Sequence, residues 1–152
     1  MWFPCPQALL LTNRDQDTSA PAVEDLAWSG GPRVALEALV ARHDLAGTVK
    51  ILGQRPQSEV GMLMRDAEVL VFPSIRELGA GVVVEAMATG CVPVVVAYGA
   101  PATLVTEATG SRVPLGTKAE LVTAFRRELE AHAAQPDPIR DLSKATHERA
   151  VR

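Results

Sequence analysis

Residues 69–97 read VLVFPSIRELGAGVVVEAMATGCVPVVVA, and this stretch decides the fold. Val69-Leu70-Val71-Phe72 is a continuous apolar run closed by Pro73-Ser74, and Val92 to Ala97 is a second, the most apolar of the chain. Neither alternates with polar residues, which is the pattern of strands covered on both faces. Between them, Gly79-Ala80-Gly81 leads into a helix expected from about Val82 to Thr89, with Gly90 as its C′ residue. Strand, helix and strand in this order form a βαβ unit and call for a parallel sheet.

The same alternation runs outward in both directions. Upstream, Glu24 to Trp28 reads as a strand end and Ser29-Gly30-Gly31-Pro32 as a break. A helix then runs to about His43, with Leu36, Leu39, Val40 and His43 on one face and Gly47 as its stop. Val49-Lys50-Ile51-Leu52 reads as a strand ended by Gly53, and Ser58 as the cap of a helix through Met62, Leu63 and Ala67. Downstream, Gly99-Ala100-Pro101 breaks the strand before a short helix to about Ala108, and Arg112-Val113 is a short strand. Thr117-Lys118-Ala119-Glu120 is a capping box for a helix with Leu121, Val122, Phe125 and Leu129 on one face, ending by Pro136. A last weak helix is expected over Leu142 to Val151. The fold class is α/β, a Rossmann-like parallel sheet flanked by helices.

The chain has 152 residues, which suits one domain with a sizeable core. Fifteen Lys and Arg against 18 Asp and Glu give a net charge of −3, which argues against a general nucleic-acid binder or a polybasic membrane binder. Cys5 and Cys91 lie far apart and no metal-ligand spacing occurs, so neither a disulfide framework nor a zinc site is expected. The composition points to a cytoplasmic protein. Met1 to Leu11 has no basic start, and no apolar stretch approaches the roughly 18 residues of a membrane helix. Residues 1–22 read as a poorly ordered lead, and residues 23–152 as the organised domain.

In an open α/β sheet, ligands bind beyond the carboxyl ends of the strands. That singles out the loops Gly53–Gln57, Pro73–Gly81 and Tyr98–Pro101. At Gly79-Ala80-Gly81 the backbone can approach a ligand closely, and the following helix start supplies free amides, a cradle suited to phosphate. Glu77 and Glu85 bracket this turn, and Glu85 is the lone charge between Val82 and Thr89. A carboxylate in so apolar a helix needs a partner, and it accepts hydrogen bonds only. Sugar or ribose hydroxyls satisfy it; a second phosphate does not. Glu77 also fits a solvated loop residue, and Glu85 also fits a complement to the helix start or a partner of Arg76. Cys91 reads as a small buried hydrophobe, and His43, His132 and His147 as single helix residues outside any catalytic cluster. No P-loop, GxSxG elbow or HExxH occurs, and a dinucleotide fingerprint starting at Gly79 would need its third glycine at Val84.

Phe72-Pro73-Ser74, Glu77 with seven residues before Glu85, Ala86-Met87-Ala88-Thr89-Gly90 and Val92-Pro93-Val94-Val95 together resemble the donor-binding core of retaining GT-B glycosyltransferases. Within these, the chain resembles glycosyltransferase family four, group one. Ser29-Gly30-Gly31-Pro32 with Leu36-Glu37, Val49 to Gly53 and Gly110 to Gly116 extend the likeness over roughly residues 26–130. The resemblance implies the C-terminal half of a GT-B fold holding a nucleoside diphosphate sugar, with no cofactor and no metal. It implies that Glu85 takes the ribose hydroxyls, that Glu77 lies near the sugar hydroxyls and the reacting centre as the catalytic residue, and that Gly79, Ala80, Gly81 and Val82 hold the sugar and diphosphate. It also implies an acceptor domain or partner chain, and a first βαβ unit with an Arg and a Lys facing the diphosphate. Residues 1–22 offer only Arg14. Lacking that unit, the sheet is expected to expose an apolar strand edge. Ala80, Ala97 and Thr103 stand where relatives carry glycine, Asp and Glu. The expected function is a donor-binding domain, inactive in transfer by itself; the alternative is a non-catalytic nucleotide-sugar binding or interaction module left by truncation.

Overall fold

The computed structural model describes residues 8–11, 26–27, 33–53, 55–75, 79–134 and 136–151. In chain order its elements are β1 (Ala8–Leu11), β2 (Leu26–Ala27), α1 (Arg33–Arg42), α2 (Gln57–Asp66), β3 (Val69–Phe72) and α3 (Gly81–Thr89). These are followed by β4 (Val92–Val96), α4 (Gly99–Leu104), β5 (Ser111–Val113), α5 (Lys118–Ala134) and α6 (Pro136–Ala150). One five-stranded sheet has the order β2-β1-β3-β4-β5. β3, β4 and β5 are parallel, in the register Val71↔Val94 and Val94↔Ser111. The architecture is α/β, with helices on both faces of the parallel strands.

The two continuous apolar runs divide between the two faces as a pleated strand must. Leu70, Phe72 and Val95 point to one side and pack with Met64 of α2 and with Val83, Ala86 and Met87 of α3. Val69, Val71, Val94, Val96 and Val113 point to the other, where Phe125 of α5 covers them with Leu121, Ala124 and Leu129. All nine residues of β3 and β4 are buried, which is why neither run alternates. Gly90 ends α3 with φ 81°, its amide donating to Met87 O at 3.0 Å and that of Cys91 to Ala86 O at 2.9 Å. Cys91 is buried, and its thiol is pushed up to about 12 by burial, with the Glu68 carboxylate acting in the same direction. It packs as a hydrophobe. The capping box forms as read: Thr117 N donates to Glu120 Oε2 at 2.7 Å and Glu120 N to Thr117 Oγ1 at 3.4 Å.

The periphery departs from the sequence reading. The sheet is not all parallel, because β1 runs antiparallel to both β3 and β2. Ala8–Leu11, inside the stretch read as a lead, is therefore a strand, and it pairs along one edge of β3. Val49 to Leu52 does not form a strand of the sheet; Ile51 makes an isolated bridge, and the place beside β3 is held by β1. α1 stops before Gly47. Asp44 takes the left-handed conformation (φ 54°), and Leu45 N donates back to Val40 O at 2.9 Å. Leu39 of α1 is exposed rather than buried. Pro56, not Ser58, precedes α2, and no side chain caps it. α4 ends at Leu104, where Val105 turns extended and Thr106–Thr109 form a turn. α6 opens at Pro136, six residues earlier than expected, because prolines are tolerated in a first turn whose amides bond to no carbonyl. The break at 29–32 lies outside the described residues.

α6 binds three carbonyls at the ends of other elements. Thr146 Oγ1 donates to Thr109 O, His147 Nδ1 to Ala88 O at 2.7 Å, and Arg149 Nε to Leu104 O at 3.0 Å. On the far side of the sheet, Ser111 Oγ and His132 Nε2 are 3.1 Å apart and join β5 to α5. Burial lowers the His132 pKa below its ordinary 6.5, while the Glu128 carboxylate one turn away acts to raise it. The native state thus binds this proton less readily than the unfolded chain. The stabilisation is present above about pH 6.5 and is lost as pH falls through the lowered native value. His132→Asn is expected to flatten the fall in urea midpoint between about pH 7 and 5. An unchanged slope would place that titration on other groups.

Candidate functional site

The site is built where β3 hands over to α3. Ala80, the residue preceding α3, sits in the left-handed region (φ 47°, ψ 34°) and is buried. Its carbonyl accepts the amides of Val83 at 2.9 Å and Val84 at 3.3 Å. The amides of Gly81 and Val82 therefore belong to the first turn, with no carbonyl of the helix to receive them. Among the described residues, nothing lies within 4 Å of a Cβ placed on Gly79 or Gly81. The helix start favours an anion there.

One turn into α3, Glu85 is half-buried between Val82 and Ala86 of the apolar helix. The partner its burial calls for is Gln57, the first residue of α2, whose Nε2 donates to Glu85 Oε1 at 3.1 Å. α2 packs beside α3, which brings these residues together from 28 positions apart. The structure thus places Gly79, Ala80, Gly81 and Val82 at the start of α3 and Glu85 one turn further along it. Glu77 lies outside the described residues. Ala97 gives its amide to Val113 O at 2.7 Å, and Thr103 donates its hydroxyl to Ala100 O at 2.8 Å, inside its own helix.

Ile75, Tyr98 and Leu115 are 44%, 53% and 51% exposed. They stand just beyond the carboxyl ends of β3, β4 and β5, so this end of the sheet carries an apolar rim beside the anion-favouring turn. Two cavities lie elsewhere. One of about 540 Å³ is lined by Val84, Met87, Leu104, Thr109 and Arg149, and one of about 370 Å³ by Ser111, Arg112 and Glu128. Neither is lined by the Gly79–Gly81 turn. Among the described residues no group of three His, Cys, Asp or Glu could hold a metal ion, and no helix is long and apolar enough to cross a membrane.

A family model described as glycosyl transferases group 1 matches residues 11–131. The chain belongs to this family. Among solved structures, this group 1 domain is similar to sucrose-phosphate synthase from Thermosynechococcus elongatus, at 28% identity and a TM-score of 0.72, over 83% of this chain and 33% of that one. It is also similar to Anabaena Alr3699/HepE in complex with UDP and glucose, at 21% identity and a TM-score of 0.66, over 77% of this chain and 31% of that one. The C-terminal domain of the group 1 protein LpcC from Francisella tularensis is a third, at 17% identity and a TM-score of 0.66, over 78% and 60% of the two chains. The group 1 domain thus spans about a third of the first two. These likenesses place its sheet and helices in the C-terminal Rossmann-like half of the GT-B fold. No curated protein matches the chain.

Sequence reasoning missed Gln57. Its only signal was its place at the end of the loop Gly53–Gln57, beyond a carboxyl end; the partner it meets is set by helix packing.

Proposed function

We propose that the domain, residues 23–152, binds the nucleoside diphosphate sugar of a retaining glycosyltransferase of family four, and that it works in the cytoplasm with an acceptor domain or partner chain. The observation that carries this reading is the open turn at Gly79–Gly81 followed one helical turn later by Glu85, in a chain of the group 1 family. The amides of Gly81 and Val82 face the diphosphate and sugar, and Gly79 and Ala80 bring the backbone near. Glu85 accepts the ribose hydroxyls, and Glu77 lies against the sugar hydroxyls at the reacting centre. The relative Alr3699/HepE is described with UDP and glucose, which supports a nucleotide-sugar ligand.

In this mechanism the anomeric bond to the diphosphate breaks through an oxocarbenium-like transition state. The acceptor hydroxyl attacks from the same face and passes its proton to the departing diphosphate oxygen. Charge grows on the leaving diphosphate, where oriented amides stabilise it without reorganising. Orienting the acceptor is worth several kcal/mol, and the acceptor domain supplies it. The departures at Ala97 and Thr103 from the family pattern favour a second reading, a non-catalytic module that binds nucleotide sugars.

Calorimetric titration with UDP and UDP-glucose tests the site. A charge-assisted hydrogen bond contributes roughly 1.5–3 kcal/mol, so Glu85→Gln should weaken both ligands by about 10- to 100-fold. Glu77→Gln should weaken the sugar-bearing ligand and leave UDP unchanged or slightly tighter. Equal losses for both ligands in Glu77→Gln, or none in Glu85→Gln, would overturn these roles. Sugar transfer by the chain alone to simple acceptors would exclude the binding-module reading.

A further inference from the structure

Gln57 is exposed at the start of α2, yet its side chain is committed to α3 through the 3.1 Å bond to Glu85 Oε1. A carboxylate only accepts, so the amide nitrogen, not the amide oxygen, faces it. A free glutamate side chain samples many rotamers, and a donor on one oxygen selects among them. The other oxygen keeps its lone pairs.

We infer that Gln57 is a positioning residue that holds Glu85 so that its free oxygen receives a vicinal diol, making the Gln57–Glu85 pair a selector for ribonucleotides. This rests on the reading of Glu85 as the ribose acceptor. Gln57 is not part of the Gly79–Val82 turn, and its effect is transmitted through one carboxylate. Its loss should therefore be felt only by ligands carrying the hydroxyls that carboxylate binds.

The test is calorimetric titration of the 152-residue chain with UDP and with 2′,3′-dideoxyuridine diphosphate. Gln57→Met keeps the length and removes the donor. It should weaken UDP by about three- to tenfold, the cost of ordering one free side chain, and leave the dideoxy ligand unchanged. Gln57→Lys restores a donor and should bind UDP within about twofold of the unaltered chain. In a Glu85→Ala background, Gln57→Met should have no further effect. Loss of affinity for both ligands in Gln57→Met, or failure of Gln57→Lys to restore it, would overturn the positioning role. So would an undiminished UDP affinity in Gln57→Met alongside a weakened Glu85→Ala. UDP affinity unaltered in Glu85→Ala, or no UDP binding by the unaltered chain, would overturn the ribose-acceptor reading and this inference with it.

Discussion

Gly110→Ala is expected to destabilise the domain by about 3 kcal/mol or more, although it adds a single methyl group. The cause lies in β4. Val92 N donates to Glu68 O, on the β3 side. Alternation along a strand then turns the nitrogen of Pro93 toward β5. Proline has no proton to give there, and its ring occupies the place of a hydrogen bond. The chain entering β5 must pass that ring, and Gly110 is the residue that does so. A methyl at Gly110 would stand 2.3 Å from Pro93 O, 3.0 Å from Val105 Cγ1 and 3.1 Å from Pro93 Cδ. The nearest of these is backbone in the central strand, so relief requires moving β4 or giving up β5. Urea titration should show a lower midpoint at nearly unchanged slope. A loss below about 1 kcal/mol would mean that β5 yields readily and that the glycine is incidental.

Phe72→Ala should cost more, about 3–5 kcal/mol. Phe72 is fully buried at the carboxyl end of β3 and packs in the cluster formed with α2 and α3. Truncation loses its transfer energy and leaves a cavity between β3, α2 and α3. Domains are commonly stable by only 5–15 kcal/mol, so the melting temperature should fall on the order of 10 °C. Thermal unfolding followed by circular dichroism measures it. A fall of less than about 4 °C would show that α2 and α3 collapse into the gap.

Legibility in the sequence tracks how local the cause is. β3, α3 and β4 were readable because continuous apolar runs and Gly90 each announce their role within a few residues. The capping box at Thr117 and Glu120 was readable for the same reason. β1 was not, because four apolar residues become a strand only by finding the β3 edge some 60 positions away. Val49 to Leu52 has the composition of a strand but makes a single bridge at Ile51 instead of a ladder, since β1 holds the place beside β3. In the site, the lone charge of Glu85 was legible as a need for a partner, while the identity of Gln57 depends on how two helices pack. The left-handed backbone of Ala80 carried no signal in the residue itself, since alanine is not among glycine, asparagine and aspartate, the residues that visit that conformation routinely.

Ala80 also bears on how this turn can drift through evolution. Holding a non-glycine residue left-handed costs about 1–2 kcal/mol. A glycine there would remove that cost but add about 0.5–1 kcal/mol of unfolded-state entropy and forfeit about 0.8 kcal/mol of buried methyl. The two sides nearly cancel, because the Ala80 methyl is 2% exposed and already packed. Glycine and alanine codons differ by one base, so lineages can cross between them almost without selection. A β-branched residue is barred on both counts, by the backbone angle and by the close packing. The position behaves as a two-letter alphabet, and a consensus glycine among relatives would record mutational traffic as much as need.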